Sequence, residues 1–558
     1  MAHDHPEPKP FPVSPDFIVD WPNPEDSRKP WMYDRMHAPE PITPMTGWIS
    51  ANPWTEGTAR GFKNAGQPMT LMCDRFNTYY FNAAVSTVPP EGMEEAGAHA
   101  EATLKALLPT FHERWENEWL PRVKAHHDFW STFDLEAASD EALLAHMDET
   151  FERYADLWDV HFHIVFPFLA STSMFVDLYK DLFEGSTDLD ALGLIKADHN
   201  ISLEVGYQLW DIAQKYKDMP SVANPIRTKS TNAALSSFVG TVEGRQFLKE
   251  LKTVLNEYGQ RANGVIELAS PSWTEDPTSA LTAIRENMAS NAKDPRVNHI
   301  EQIKKRDAVT AVAREKLANH PDEVKDAFEM FLGAGRSGDQ VQEDHNFWID
   351  QGGLHHVRQV LLALGDRLAA KGVIANRGDV LYLVPDTVRS GLRDGGNFQE
   401  QIADEKKEME RWAKIAPPPF IGTDYGPPPD NPVGKAIGRF FGGPPSISEE
   451  AGLVTGSPVS VGVARGTAKI IMNLQQGTRL KQGDILVAPT AVPPWTLLFG
   501  IATAVVTDVG GALSHCGIVA REYGIPCVGG TVVATAKIPD GAIIEVDGTA
   551  GEVRILSS

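Results

Sequence analysis

The sequence predicts a multidomain protein: a mainly α-helical domain with a small β-containing N-terminal arm, followed by a C-terminal α/β domain. Three observations indicate this class. The chain has 558 residues, too many for one hydrophobic core. Helix-period apolar patterns dominate residues 96–415. Near the C-terminus, a buried strand, a Gly-Gly break and a short helix follow one another, which is typical of an α/β unit.

The first 95 residues predict an arm that packs on the helical domain. Their opening is rich in proline and lacks the basic and apolar segments of a secretory signal. Residues 69–85, MTLMCDRFNTYYFNAAV, have the β-branched and aromatic content of paired strands.

In the helical region, a long helix after Ser139 carries one apolar stripe. The stripe consists of Leu144, Met147, Phe151, Tyr154, Trp158, His161 and Val165. His161 is therefore either a packing residue or a substrate-binding residue. A second helix follows Gly353 and ends at Lys371-Gly372, after which 379–383 predict a short strand.

Residues 333–338 match GxGxxG in spelling only. A dinucleotide site needs a strand before the glycines, whereas the preceding residues have a helical pattern. The sequence also contains no GxxxxGK[ST] motif, so a P-loop is excluded.

Residues 343–350, EDHNFWID, combine three carboxylates, a histidine and an amide with aromatic residues. This composition favours a pocket wall, although the spacing alone fits a solvated helix equally well. The candidate residues here are Asp344, His345 and Asp350.

Residues 416–452 are crowded with proline and glycine and predict a semi-rigid, extended linker. The C-terminal domain then covers 453–558.

His515 is the chemical centre of this C-terminal domain. Ser514 opens a helix that Gly524 and Pro526 close, so His515 lies in its first turn. A helix N-terminus binds anions through unpaired amides, and a neutral imidazole is nucleophilic near pH 7. Gly510 and Gly511 leave the approach to the ring open. We therefore expect an accessible phosphoryl carrier, with Ser514, Gly510 and Gly511 binding the phosphoryl group. Arg521 is either a clamp on its oxygens or a structural residue, in a salt bridge with Glu522 or elsewhere.

From about Gly462 to the end, the sequence resembles the mobile phosphohistidine domain of the phosphoenolpyruvate-utilising enzymes. The resemblance rests on 462–470 (GVARGTAKI), 483–487 (GDILV), 494–499 (PWTLLF), the histidine stretch and 540–548. It implies that His515 is transiently phosphorylated and that the domain swivels. More loosely, the pattern ExHxxxID followed by Arg358 resembles the acceptor-binding region of rifampicin phosphotransferase and phenylphosphate synthase.

The relatives charge this histidine through an ATP-grasp or a barrel domain, and this sequence shows the pattern of neither. The resemblance therefore implies that a separate ATP-grasp subunit uses ATP and Mg²⁺ to phosphorylate His515. The group would pass to a small aromatic hydroxyl acceptor such as a phenol or cresol. His345 would act as base, oriented by Asp344 or Asp350, and His161, Arg358 and Asp350 would bind the acceptor. No metal-ligand set is expected.

Two alternatives stay open: an antibiotic-type or pyruvate-type phosphotransferase with a non-phenolic acceptor, and a non-catalytic regulatory protein. The formal net charge of -24 disfavours nucleic acid and anionic membranes as partners. No run of about eighteen apolar residues is evident for a membrane span. With three cysteines and no disulfide pattern, we expect a cytoplasmic protein.

Overall fold

A computed structural model describes residues 8–262, 264–289, 293–426, 432–442 and 448–557. The chain divides into two units by contact. The first consists of Met1–Phe166, Gly264–Ser270 and Trp348–Pro429, and the second of Pro167–Asn263, Pro271–Phe347 and Asp430–Ser558. The predicted domain limits rest on sequence pattern, whereas these two units are defined by contacts between residues. The predicted limits therefore stay a prediction.

Helices form most of the regular structure. In chain order they are α1 (Pro44–Ile49), α2 (Thr55–Asn64), α3 (Met93–Leu107), α4 (Phe111–Arg114), α5 (Leu120–Thr132), α6 (Asp140–Leu182), α7 (Asp188–Leu192), α8 (Ile201–Tyr216), α9 (Pro220–Thr228), α10 (Thr231–Phe238), α11 (Val242–Tyr258), α12 (Thr278–Asn287), α13 (Pro295–Leu317), α14 (Asp322–His345), α15 (Gly352–Ala370), α16 (Pro385–Arg393), α17 (Gln399–Trp412), α18 (Pro432–Phe441), α19 (Thr496–Phe499), α20 (His515–Tyr523) and α21 (Ala534–Lys537).

The strands fall into two sheets. In chain order they are β1 (Lys9–Pro10), β2 (Pro30–Tyr33), β3 (Met69–Phe76), β4 (Tyr79–Ser86), β5 (Phe420–Asp424), β6 (Leu453–Thr455), β7 (Ser457–Ser460), β8 (Val463–Ile470), β9 (Ile485–Ala488), β10 (Ala504–Thr507), β11 (Cys527–Gly529), β12 (Ile543–Asp547) and β13 (Glu552–Ser557).

The first unit contains an antiparallel sheet in the order β1-β5-β2-β4-β3. The predicted strand pair is confirmed as the β3–β4 hairpin, whose two-residue turn, Asn77-Thr78, has positive φ at both positions. Such a turn matches the right-handed twist of the flanking strands. Aromatic side chains including Phe17, Trp31 and Phe81 form the core beneath it.

The stretch predicted as an extended linker contains regular structure where it is described. Strand β5 pairs with β1 and β2 in the first unit's sheet. Residues 432–441 form helix α18 in the second unit. Residues 427–431 and 443–447 of the predicted linker lie outside the described residues. Composition could not reveal the pairing of β5 with distant strands.

The second unit contains a sheet in the order β6-β13-β12-β8-β9-β10-β11-β7. Strand β10 lies between β9 and β11, parallel to both, and all four of its residues are buried. This double burial explains its continuous apolar sequence. Helix α20 connects β10 to β11, so the predicted strand, glycine break and helix are confirmed.

Helix α6 confirms the predicted stripe, because Leu144, Met147 and His161 are buried on it, whereas Val165 is half-buried. Contrary to expectation, this helix is long and apolar enough to cross a membrane by length and composition. However, 61% of its most apolar window is buried in the structure, as in the core helix of a globular domain.

Two further local predictions had opposite outcomes. Residues 333–338, which match GxGxxG, lie inside helix α14. The described residues directly before them form no strand, as expected when they were rejected as a dinucleotide site. The strand predicted at 379–383 is wrong, because Arg377–Tyr382 form a 3₁₀ helix. Asn376 and Asp379 cap this helix reciprocally, and Lys406 donates to Asp379 at 2.6 Å. These polar contacts satisfy the turn and outweigh the strand propensity of Val-Leu-Tyr-Leu.

Buried neutral histidines make the first unit sensitive to acid. His127 Nε2 donates to the Trp348 carbonyl at 2.7 Å, and His356 Nε2 donates to His127 Nδ1 at 3.1 Å. Burial lowers the pKa of His127 to about 4 and that of His356 well below its usual value. Below pH ~6.5 these histidines are protonated in the unfolded chain but stay neutral in the folded chain. The free energy of unfolding therefore decreases as the pH falls below ~6.5.

We expect the free energy of unfolding to decrease by roughly 4 kcal/mol between pH 7 and pH 5 through this pair, about 2 kcal/mol for each histidine. Urea titrations at both pH values measure the change. The variant His356→Gln keeps a donor toward His127 and is expected to reduce the pH dependence. The matched control, His112→Gln, alters an exposed histidine. Equal pH dependence in wild type and His356→Gln contradicts the prediction.

Candidate active site

Local sequence places His515 at the start of helix α20. Ser514 is the N-cap residue: its Oγ accepts from the Gly517 amide and donates to the Gly511 carbonyl at 2.7 Å. Gly524 ends the helix in the left-handed conformation, with φ of 65°. Both predicted limits of the helix are therefore confirmed, and the imidazole lies in its first turn.

The imidazole of His515 is enclosed rather than open. It is 9% exposed, with Nδ1 2.7 Å from Glu343 Oε1 and Nε2 3.2 Å from Thr496 Oγ1. The expectation of an accessible ring is therefore wrong for this arrangement. The physical reason is that helix α14 brings Glu343 against the first turn of α20, and the resulting hydrogen bond closes one side of the ring.

Glu343 is held as a carboxylate. Its Oε2 accepts from Ser202 Oγ at 2.8 Å, and its Oε1 accepts from His515 Nδ1. Burial by itself raises the pKa of Glu343, but His515 and these hydrogen bonds hold it below its usual value. Because a carboxylate only accepts, Nδ1 of His515 carries a proton.

The amides of the glycine pair have partners within the chain. Gly510 N–H donates to the Phe441 carbonyl at 3.3 Å, and Gly511 N–H donates to the Phe440 carbonyl at 2.8 Å. Leu513 N–H donates to the Arg439 carbonyl at 2.9 Å. The last carbonyls of α18 thus cover the loop before His515. In this arrangement Gly510 and Gly511 bind backbone oxygens of α18 rather than a phosphoryl group.

Side chains fix α18 in this position. The Arg439 guanidinium contacts Asp177 at 2.7 Å, Asp188 at 2.9 Å and the Ser173 hydroxyl. Lys435 lies 3.3 Å from Asp177. Because Arg439 is mostly buried, these charge-assisted bonds are stronger than exposed ion pairs.

Arg521 donates hydrogen bonds that stabilise the loop before His515. Its Nη1 donates to the Ala512 carbonyl at 2.6 Å and to the Val459 carbonyl at 3.4 Å. Glu522 does not receive these bonds; its Oε1 accepts from Asn200 at 2.5 Å. The structure thus gives Arg521 a structural contact, made with backbone carbonyls and not with Glu522. Its predicted role as a phosphoryl clamp stays a prediction.

Asp344 and His345 lie at the end of α14 but do not interact as predicted. Asp344 accepts from the Ile201 amide at 2.8 Å and from Gln340 at 3.2 Å. Burial raises its pKa to about 6. His345 Nδ1 donates to the Val341 carbonyl at 3.0 Å. Asp344 therefore caps α8 and does not orient His345.

The remaining predicted residues lie in the first unit. His161 Nδ1 is 2.8 Å from Asp350 Oδ1, so the structure brings these two together although 189 positions separate them. Arg358 donates to the Leu268 carbonyl at 2.5 Å.

Sequence reasoning overlooked the roles of Glu343, Ser202, Thr496 and Arg439. One signal was present: Leu332, Gly335, Asp339 and Glu343 follow at helical spacing and all are buried. Carboxylates on a core-facing stripe are rare unless paired, so this spacing indicated a buried partner for Glu343. The partner itself is 172 positions away.

Two models of known protein families match parts of this chain. The family model for the rifampicin phosphotransferase fourth domain matches residues 161–340, and the model for the mobile domain of PEP-utilising enzymes matches residues 480–551. The second match contains His515. In these two regions the chain is similar to PEP-utilising enzymes and to rifampicin phosphotransferase.

Three relatives illustrate the match. Chondramide synthase cmdD of Chondromyces crocatus is 33% identical over 98% of this chain and 14% of its own length. The uncharacterized phosphotransferase YvkC of Bacillus subtilis (strain 168) is 30% identical, over 77% of this chain and 51% of its own. Rifampicin phosphotransferase of the same strain is 29% identical, over 64% and 40%. The chain thus spans about half or less of these relatives.

Proposed function

We propose that this chain is a phosphotransferase subunit that carries a phosphoryl group on His515 and passes it to a hydroxyl group of a small aromatic acceptor. The observation that carries the proposal is the position of His515. It lies at a helix N-terminus within the region matching a PEP-utilising mobile domain, with its Nδ1 proton bound by Glu343.

The protonated Nδ1 leaves the Nε2 lone pair as the nucleophile. In the first half-reaction, Nε2 attacks phosphorus, an N–P bond forms, and the donor's P–O bond breaks. In the second, the acceptor oxygen attacks, the N–P bond breaks, and the hydroxyl proton passes to a base. Glu343 orients the imidazole and offsets the charge that develops on it in the transition state.

The Thr496 hydroxyl lies on the side of the ring where a phosphoryl group on Nε2 would be accommodated. Its Oγ1 lies 3.2 Å from Nε2 and also donates to the Pro493 carbonyl at 2.7 Å. A phosphoryl group on Nε2 needs this space. Loading and delivery therefore require the Thr496 hydroxyl to move away from Nε2, while Glu343 keeps its bond to Nδ1.

Aromatic side chains support an aromatic acceptor. The His161 ring lies 4.4 Å from Trp158 and 4.7 Å from Phe162, and Asp350 binds its Nδ1. We propose that His161, Asp350 and Arg358 bind the acceptor. A phenol has a pKa of ~10, so a base is needed to remove its hydroxyl proton. We propose His345 as this base, and Asp344 has no part in orienting it.

Phosphorylation of His515 is proposed to come from a separate ATP-grasp subunit that binds ATP and Mg²⁺. The β-phosphoryl group passes to His515 as AMP leaves, and water takes the γ-phosphoryl group to give phosphate. We further propose that the assembly is cytoplasmic.

A second candidate acceptor is an antibiotic hydroxyl. The match of residues 161–340 to the rifampicin phosphotransferase fourth domain favours it. It uses the same carrier chemistry and differs only in the acceptor, so acceptor competition separates the two.

The experiment combines the full chain, an ATP-grasp subunit encoded nearby, Mg²⁺, and ATP labelled on the β- or γ-phosphorus. We expect acid-labile label from the β position on His515, which then appears on phenol or 4-cresol. Transfer to rifampicin or pyruvate instead supports the alternative acceptors.

Two variants serve as controls. His515→Ala is expected to abolish labelling, whereas His320→Ala, which alters an exposed histidine of the same unit, retains it. Label that survives His515→Ala, or no acid-labile label in the wild type, rules out the carrier function.

A further inference from the structure

Arg261 is a buried cation that the proposed mechanism leaves unused. It follows helix α11, is 1% exposed, and its guanidinium lies 5.2 Å from the Phe347 ring and 5.9 Å from the Trp273 ring. Within the described part of the chain, its Nε has no hydrogen-bond partner and no carboxylate forms an ion pair with it. Burying a charge without an ion-pair partner costs free energy, so stability alone does not explain an arginine at this position.

A short chain of contacts connects Arg261 to His515. Arg261 Nη2 donates to Ser202 Oγ at 3.4 Å, and Ser202 Oγ donates to Glu343 Oε2 at 2.8 Å. The other oxygen of Glu343 binds His515 Nδ1 at 2.7 Å. Two side chains thus separate the buried cation from the imidazole, and all four residues belong to the second unit.

The surroundings of Glu343 are otherwise acidic. Asp339 and Glu522 interact electrostatically with one another and with Glu343, and Asp344 is the next residue on α14. Each carboxylate favours protonation of its neighbours. The cation of Arg261 opposes this effect at Glu343, and the hydrogen bonds from His515 and Ser202 act in the same direction. Arg261 itself faces Glu343, Asp344 and the hydroxyls of Tyr258 and Tyr523.

We propose that Arg261 is a positioning residue which, through Ser202, keeps Glu343 in the carboxylate form that holds the Nδ1 proton of His515. The inference rests on the proposed carrier function. If Glu343 became protonated, its hydroxyl would donate to Nδ1 and the imidazole would carry its proton on Nε2. That tautomer lacks the Nε2 lone pair that must attack phosphorus.

Phosphoramidate tests the inference without the partner subunit. This small donor phosphorylates imidazole directly: the N–P bond to His515 forms as the P–N bond of phosphoramidate breaks, and ammonia leaves with the proton. Labelling of the full chain is followed at pH 5.5–9 by mass spectrometry of the His515 peptide under alkaline conditions.

We expect Arg261→Met to move the acid limb of the pH–rate profile upward by about one pH unit and to lower the rate by about tenfold at pH values on that limb, with little change on the plateau. Arg261→Lys restores the profile, and Ser202→Ala shifts it in the same direction. The matched control Arg245→Met, at an exposed arginine on α11, leaves it unchanged.

Superimposable profiles for wild type and Arg261→Met overturn the inference, as does a lower rate without a shift. If Arg261→Met fails to fold, Ser202→Ala decides, since an unshifted profile for that variant also overturns it. Failure of the carrier function is recognised separately, because wild type and His515→Ala would then label equally.

Discussion

Replacing Glu343 with glutamine is expected to lower the rate of phosphoryl transfer through His515 by ~10²–10⁴-fold. Glutamine keeps the shape and one acceptor but removes the negative charge beside the imidazole. Its amide can also turn its NH₂ group toward Nδ1, which would then carry no proton. Both effects disfavour the tautomer with a free Nε2 lone pair. Glu343 is 1% exposed, so water cannot replace the lost carboxylate.

Single-turnover labelling of His515 measures this effect, with phosphoramidate or with the ATP-grasp subunit and ATP. The matched control is Glu323→Gln, the same substitution at an exposed position on the same helix, α14. Thermal unfolding of both variants separates a catalytic effect from a folding defect. A rate for Glu343→Gln within about threefold of wild type, well below the factor expected from the lost charge, contradicts the prediction.

Replacing Gly511 with alanine is expected to detach helix α18 from the loop before His515. A Cβ atom at Gly511 would lie 2.3 Å from the Arg439 carbonyl oxygen and 2.9 Å from the Gly442 nitrogen. These are backbone atoms, so no side-chain rotation relieves the overlap. Overpacking of this kind costs about 1–3 kcal/mol, which corresponds to a roughly 10–100-fold change in the opening equilibrium.

Hydrogen exchange of the α18 amides measures the detachment, and we expect it to accelerate by the same factor. Gly438→Ala is the matched control, because a Cβ at that position of α18 meets no atom within 4 Å. Alanine there favours the helix by up to ~1 kcal/mol, so exchange should slow or stay constant. Equal exchange in Gly511→Ala and wild type would show that the glycine is not required by this contact.

The glycine pair shows how a correct prediction can rest on the wrong contact. The sequence predicted that the loop before His515 needs small residues, and the structure agrees. The reason given was access for a phosphoryl group, whereas the structure has α18 filling that space. A glycine in a sequence indicates that another group packs closely against the backbone there. The sequence does not show whether that group is a ligand or another part of the chain.

The sequence by itself determined the features that depend on neighbours within a few positions. These are the start of α20 at Ser514, its end at Gly524, the β3–β4 hairpin and the apolar stripe of α6, because capping and periodicity act between positions i and i+4. Only the tertiary structure decided that Glu343 holds His515, that Arg439 anchors α18 and that Asp344 caps α8. Those contacts join residues more than 140 positions apart, and the free energy that selects them comes from packing and burial, which no local pattern records.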